Sequence, residues 1–202
     1  MSHDPLLLPP DLPRPIDDGA GDHLSGRRLP GVEVLATDGT MVDLSAISSP
    51  WAVLYVYPRT GVPGVDPPSD WDEIPGARGC TPQSCSFRDV HGEFAALGAT
   101  VFGLSTQVHE EQVEFSRRQH LPFLLLSDPD QIFGEALDLP VFQADDIVAY
   151  KRMTIIARAG TIAHVRYPVF PPDRDADEVL AWLYNAARAD ASASRPVGDS
   201  DR

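Results

Sequence analysis

The chain has 202 residues, 43% of them hydrophobic, with 30 acidic against 16 basic residues and a net charge of −14. That length fits one domain with appended tails, with enough apolar content for a sizeable core. The acidic balance, unbroken by any basic cluster, excludes nucleic acid and anionic membrane surfaces as partners, and no apolar run is long enough to span a bilayer.

Residues 1–27 hold five prolines, five aspartates and no periodicity, and read as a disordered arm. Within it Leu6-Leu7-Leu8 is too short and too proline-flanked for a secretory signal, but it offers a docking point. The folded domain is expected over 28–189. Residues 29–47 read as a strand pair turning at Thr37-Asp38-Gly39-Thr40. Trp51-Ala52-Val53-Leu54-Tyr55-Val56-Tyr57 is apolar on both faces, as in the covered centre of an α/β sheet. It stops at Pro58, and residues 59–79 form a long loop rich in Pro, Gly and Asp, unusual inside a compact domain.

Next comes Gly79-Cys80-Thr81-Pro82-Gln83-Ser84-Cys85, which holds both cysteines of the chain. Pro82 suits a first helical turn, Thr81 is a side-chain cap for it, and Phe87, Val90, Phe94 and Leu97 recur at helical spacing as far as Gly98. Thr100-Val101-Phe102-Gly103-Leu104 reads as a strand, 108–119 as a helix and Phe123–Leu126 as a further strand. Asp128 and Pro129 open a short helix, and 138–150 reads as loop or short irregular pieces. Residues 153–156 and 162–165 pair around Ala159-Gly160. A last amphipathic helix carries Val179, Leu180, Trp182, Leu183 and Ala186, and the tail from 190 to 202 is expected to fray. This order gives an α/β fold, a central mixed β-sheet flanked by helices. The cysteines sit at the carboxyl edge of a central strand, where such sheets build sites.

Cys80 is placed at a helix N-terminus, where unpaired N–H groups and the positive dipole end favour a thiolate. Cys85, about 140° further round the helix, is expected on the solvent side. In an intact helix their Cα atoms stand more than about 7 Å apart, too far for a disulfide, so pairing requires the first turns to unwind. Zinc is disfavoured, since only His91 lies near as a further ligand. The chemistry suggested is a cycle: Cys80 attacks an oxidant and becomes a sulfenic acid, Cys85 condenses with it, and an external dithiol resets the pair by exchange. Arg152, just ahead of a strand that pairs inside the sheet, is the cation best placed to assist; the alternative is a surface arginine. His109, His120 and His164 have no acid partner at helical or strand spacing. Ser84 and Ser86 read as ordinary helix-surface residues.

Tyr57-Pro58, the segment Gly79–Asp89, Phe102-Gly103-Leu104-Ser105 and Arg152-Met153-Thr154-Ile155-Ile156 resemble the peroxiredoxin Q, or bacterioferritin-comigratory-protein, group of peroxiredoxins. The resemblance covers roughly residues 29–188. It implies a thioredoxin-like fold, Cys80 as peroxidatic cysteine, Cys85 as resolving cysteine and Arg152 as the arginine that holds thiolate and peroxide. One departure stands out. The family pattern is Pro-x-x-x-Thr-x-x-Cys, whereas here Pro58 lies far upstream of Cys80 and Ala77 occupies the Thr position. Val62 and Val65 stand at the usual Thr and Cys positions after Pro58, followed by an insertion of about fifteen residues. Thr60 or Thr81 is then the source of the missing hydroxyl; failing both, backbone N–H groups and Arg152 form the pocket with Pro58 and Gly79. The insertion reads either as a lid of Trp71, Ile74 and Pro75 over Cys80 or as a surface excursion, with Asp70, Asp72 and Glu73 pointing to solvent in either case.

The function expected is a thiol-dependent peroxidase of hydrogen peroxide or organic hydroperoxides. It needs no metal or organic cofactor, is reset by a thioredoxin-like reductant, and works in the cytoplasm as a monomer or weak homodimer. The alternatives are a thiol–disulfide exchanger or redox sensor on the same fold, and a partner-docking module.

Overall fold

The computed structural model describes residues 8, 11–62 and 65–193. The early strand pair forms as β1 (Glu33–Ala36) and β2 (Met41–Asp43). It reverses at Gly39, whose φ of +86° suits a residue without Cβ. β3 (Trp51–Val56) follows and is buried along its whole length. Ala52, Leu54 and Val56 pack into one core, and Trp51, Val53 and Tyr55 into a second on the opposite face. That two-sided burial is what an uninterrupted apolar strand requires.

The helix expected as far as Leu97 is two helices, α1 (Cys80–Asp89) and α2 (His91–Ala96). They break at Val90, with φ −112° and ψ 16°, where the poor helix formers Val90 and Gly92 straddle the junction. β4 (Ala99–Ser105), α3 (His109–Gln119), β5 (Leu124–Ser127) and α4 (Ile132–Leu137) follow. The helix expected to open at Asp128-Pro129 begins later, at Ile132 with Gln131 as its N-cap, and the Asp128 carboxylate reaches forward to accept from the Phe133 and Gly134 N–H groups. Residues 138–150 are not loop: β6 (Val141–Ala144) and β7 (Ile147–Tyr150) form a separate antiparallel hairpin. β8 (Met153–Arg158), β9 (Thr161–Arg166) and α5 (Asp175–Ala193) complete the chain.

The main sheet runs β2-β1-β5-β4-β3-β8-β9. β3, β4 and β5 are parallel neighbours, and β8 lies antiparallel to β3 with Val56 opposite Met153. This register sets the residue before β8, Arg152, beside the end of β3 from which the chain passes toward α1.

Residues 11–27 do not behave as a disordered arm. Leu24 is fully buried in the core. Gly26 N–H donates to the Ile162 carbonyl and Ile162 N–H to the Arg27 carbonyl, so this segment extends the β9 edge. The His23 ring and the Arg27 guanidinium also reach the Leu137 carbonyl at the end of α4, satisfying an acceptor that the helix leaves unpaired. Of the Leu6-Leu7-Leu8 run, residues 6 and 7 lie outside the described residues, and Leu8 sits beside Gly79. At the other end α5 continues through Ala193, beyond the expected start of fraying; 194–202 lie outside the described residues.

The long loop docks on the β6–β7 hairpin rather than hanging free. Trp71 and Ala77 pack with Ala144 and Ala149, the Trp71 and Phe142 rings lie 5.7 Å apart, and Ser69 N–H donates to Asp145. Truncating a buried tryptophan in such a satellite cluster costs about 3 kcal/mol. Trp71→Ala should therefore speed amide exchange in 141–150 while leaving β3 and β4 protected. Equal acceleration in both would show that the cluster is not a separate unit.

Candidate active site

Cys80 is the first residue of α1, and Gly79 is its N-cap. Gly79 adopts φ +99°, and a Cβ there would fall 2.3 Å from Pro172 Cγ. Left-handed backbone and close approach both demand glycine. The capping expected of Thr81 does not occur: the N-cap has no side-chain hydrogen bond, and Thr81 is buried in the first turn.

Cys80 is 3% exposed. Its sulfur has two hydrogen-bond partners: the Ala77 carbonyl at 3.6 Å, to which the thiol donates, and Arg152 Nη2 at 3.2 Å, which donates to sulfur. Arg152 is thus no surface arginine; it too is 3% exposed. Burying a guanidinium demands acceptors for its five N–H groups. The end of the long loop supplies three. Arg152 Nε donates to the Gly76 carbonyl, and Nη2 reaches the Gly76, Ala77 and Arg78 carbonyls at 2.9–3.2 Å. Nη1 donates to Gln83 Oε1. The insertion therefore meets the site through its final backbone turn, which wraps Arg152, while its tryptophan faces the hairpin. Asp70, Asp72 and Glu73 are exposed, as expected.

Neither threonine supplies a hydroxyl to the Cys80 sulfur. Thr60 is buried, but its N–H and hydroxyl both turn to Gln107 Oε1, at 2.7 and 3.0 Å. Pro58 ends the strand, and its carbonyl accepts from the Ser105 hydroxyl. The structure thus brings Cys80, Arg152 and Gly79 together and leaves Thr60 pointing elsewhere. The Ala77 carbonyl lies beside both the Cys80 sulfur and Arg152.

Cys85 does not face open solvent. It is 8% exposed, and its Sγ meets Gln119 Oε1 at 3.5 Å, while Arg88 donates to the Gln119 carbonyl. The end of α3 covers the face of α1 that would be polar in an isolated helix. Burial pushes the Cys85 thiol up, partly offset by the nearby Arg88. Ser84 is likewise buried, bonded to the Cys80 carbonyl and to the Tyr55 hydroxyl. Both cysteines are free thiols. Five residues apart on one helix, their Cα atoms stand about 8.7 Å apart by helix geometry, beyond disulfide reach.

Two residues that join this contact network escaped the sequence reading. Gln83 lies one turn after Cys80, and that spacing was its only signal. Asp175, the first residue of α5, is fully buried. Its Oδ2 accepts from Thr154 Oγ1 at 2.6 Å and Gln83 Nε2 at 2.8 Å, and its Oδ1 from Arg166 Nε at 3.1 Å. Burial pushes the Asp175 carboxyl above the usual carboxylate range, against the pull of those three donors. As a lone acid before an amphipathic helix, it reads in sequence as an ordinary helix-start residue.

With this geometry in place, similarity to known proteins becomes decisive. The redoxin family model matches residues 24–180. The chain belongs to the redoxin family, in its peroxiredoxin Q/Bcp group. It is 34% identical over 114 residues to peroxiredoxin Bcp of Bacillus subtilis, a stretch covering 56% of this chain and 63%, under two thirds, of that protein. It is 30% identical over 186 residues to the chloroplastic peroxiredoxin Q of Suaeda salsa, covering 91% of this chain and 78% of that one. Among solved structures it resembles peroxidoxin BcpB of Mycobacterium tuberculosis, at 26% identity and TM-score 0.65 over 80% of this chain and 96% of that one. It also resembles a Xanthomonas campestris bacterioferritin comigratory protein described for alkyl peroxide reduction, at 25% identity and TM-score 0.63 over 77% and 92%. The thioredoxin-like fold implied by the sequence resemblance is the fold found.

The Cys85 environment gives a pH-dependent expectation. A thiol whose pKa is raised on folding adds stability that is full below its unfolded pKa and is lost as pH climbs through the folded one. Opening of α1 should therefore become easier in alkali. Alkylation of Cys85 in the reduced protein should be slower than that of a free thiol at neutral pH and rise steeply in alkali. Gln119→Ala should speed it about fivefold, the worth of one hydrogen bond. A neutral-pH rate equal to that of a free thiol in the parent protein would contradict a covered Cys85.

Proposed function

We propose that Cys80 is the peroxidatic cysteine and Cys85 the resolving cysteine, with Arg152 as the group that orients thiolate and peroxide. The observation that carries this reading is the contact between Arg152 Nη2 and Cys80 Sγ at the first residue of α1. The Cys80 thiolate attacks the outer oxygen of a hydroperoxide. The O–O bond breaks, the leaving oxygen takes a proton to become water or alcohol, and Cys80 is left as a sulfenic acid. The first turns of α1 then open. The Cys85 sulfur attacks the Cys80 sulfur, hydroxide leaves and takes the Cys85 proton as water, and a disulfide forms. A dithiol reductant of the thioredoxin type resets the pair in two exchange steps, itself becoming a disulfide. The balance is one peroxide and one dithiol consumed, with one water, one alcohol or second water, and one disulfide formed.

In this reading the carbonyl-wrapped Arg152 stands in for the family's threonine hydroxyl as the fixed donor beside sulfur. The same departure favours a second reading, a slow redox sensor, in which Cys80 oxidises and disulfide exchange is the output. The setting proposed is a reducing compartment such as the cytoplasm, with the chain acting as a monomer or weak homodimer.

Stoichiometric peroxide added to the reduced protein should give one intramolecular Cys80–Cys85 disulfide by mass spectrometry. The Cys85→Ser protein should stop at Cys80 sulfenic acid and pass to sulfinic acid with excess peroxide. Equal overoxidation of Cys80 in both proteins would sink the two-cysteine cycle. Oxidation of Cys80 no faster than that of a free thiolate would leave only the sensor reading.

A further inference from the structure

We propose that Asp175 is a positioning residue for peroxide reduction: through the Gln83 amide it fixes the acceptor that holds Arg152 against Cys80. The inference rests on the reading of Cys80 and Arg152 as the reacting pair. Its basis is a chain of contacts with only one consistent direction. An arginine side chain only donates, and a carboxylate only accepts. Gln83 lies between one of each. Its Nε2 donates to Asp175 Oδ2, so its Oε1 is the atom turned to Arg152 Nη1. Were the amide reversed, an NH2 group would meet the guanidinium and a carbonyl oxygen would meet the carboxylate, two repulsive contacts in a buried site.

Asp175 is itself held on three sides, by Thr154 from β8, Arg166 from β9 and Gln83 from α1. Arg166 continues outward to Glu178. The carboxylate is thus anchored to the sheet and passes that fixed position to the first turn of α1. Local opening of α1 carries Gln83 away from both partners, so Arg152 loses its Gln83 acceptor in the same movement that exposes Cys80 to Cys85.

The arrangement makes residues 83 and 175 a complementary pair. The substitution Gln83→Glu would suit Arg152 but would set a second carboxylate against Asp175, and one of the two groups must then turn away or take a proton. Adding Asp175→Asn removes that conflict. The introduced amide donates through its NH2 to the carboxylate at position 83 and to the Thr154 oxygen, and its carbonyl still accepts from Arg166. The carboxylate at position 83 then accepts from Arg152.

The test is a set of four proteins, all carrying Cys85→Ser so that only the first oxidation is seen: the parent, Gln83→Glu, Gln83→Leu, and Gln83→Glu with Asp175→Asn. Each is mixed rapidly with hydrogen peroxide, and the rate constant of Cys80 oxidation is read on the folded fraction. Both single changes at 83 should slow oxidation about tenfold or more, as expected when a buried charge loses its partner. The double variant should recover to within about threefold of the parent. A purely structural role would lower the folded amplitude and leave the rate constant alone. If Gln83→Glu does not fold, the Gln83→Leu rate decides: a parental value overturns the proposal. Failure of Asp175→Asn to rescue a folded Gln83→Glu protein overturns it as well. A parent that itself oxidises no faster than a free thiolate refutes the site reading instead, whereas a fast parent with equally fast variants refutes only the positioning role.

Discussion

A buried guanidinium organises this site. Arg152 enters the interior just ahead of β8, and the end of the long loop, Gln83 and the Cys80 sulfur meet its need for acceptors. The Gly76, Ala77 and Arg78 carbonyls, the Gln83 amide oxygen and the Cys80 sulfur divide its N–H groups among them. A buried arginine with one donor left unpaired costs several kcal/mol, so its partners are held as firmly as it is. The sulfur is the one partner among these that changes its chemistry in the proposed cycle. A site built this way keeps a fixed cation where negative charge develops, with no reorganisation at the moment of reaction.

The same constraint gives the long loop its place. The loop departs from the usual family spacing between proline and cysteine, and from sequence it reads as lid or ornament. In the structure it is anchored at two points: Trp71 on the β6–β7 hairpin, and the final turn on Arg152. A backbone that supplies three carbonyls to one arginine can be lengthened upstream without disturbing the contact, since only its last residues must be in register. The Ala77 carbonyl sits beside both the Cys80 sulfur and Arg152.

The helix between the cysteines has two demands on it. In the proposed cycle it presents Cys80 at an intact N-terminus and then opens for Cys85 to arrive. Its contacts divide accordingly. Gln83 and Ser84 tie the first turn to the sheet side through Asp175 and Tyr55, whereas Cys85 and Arg88 tie the later part to the end of α3. The second set is a weak sulfur hydrogen bond and one partly exposed arginine, so it is the easier to release. Local opening of this kind belongs to the low end of a protein's stability range.

Much of this was legible in the sequence. The unbroken apolar runs at 51–57 and 123–126 and the turns at Gly39 and Gly160 carry local rules strong enough to place the sheet, and the cysteine segment with Arg152 pointed to the two side chains that meet. What could not be read depended on partners distant in the chain. Cys85 looked exposed because the helix wheel knows nothing of Gln119. The β6–β7 hairpin looked like loop because each strand has only four residues and the partners that bury it, Trp71 and Ala77, come from the distant loop. Asp175 looked like any acid at a helix start, because the donors that make its burial tolerable come from α1, β8 and β9. Residues 11–27 looked unstructured by composition, yet Leu24 and a few backbone bonds to β9 suffice to lay them down.

The central claim is that Arg152 acts directly on the Cys80 sulfur rather than merely filling the core. The most direct measurement is the rate constant for oxidation of Cys80 by hydrogen peroxide in the folded Cys85→Ser protein, compared with the same protein carrying Arg152→Lys or Arg152→Ala. Loss of a preorganised charged donor should slow the alanine form about 10²–10³-fold. The lysine form should recover only part of this, because a point charge cannot hold the carbonyls of 76–78, Gln83 and sulfur together. Equal rate constants in all three folded proteins would contradict the account.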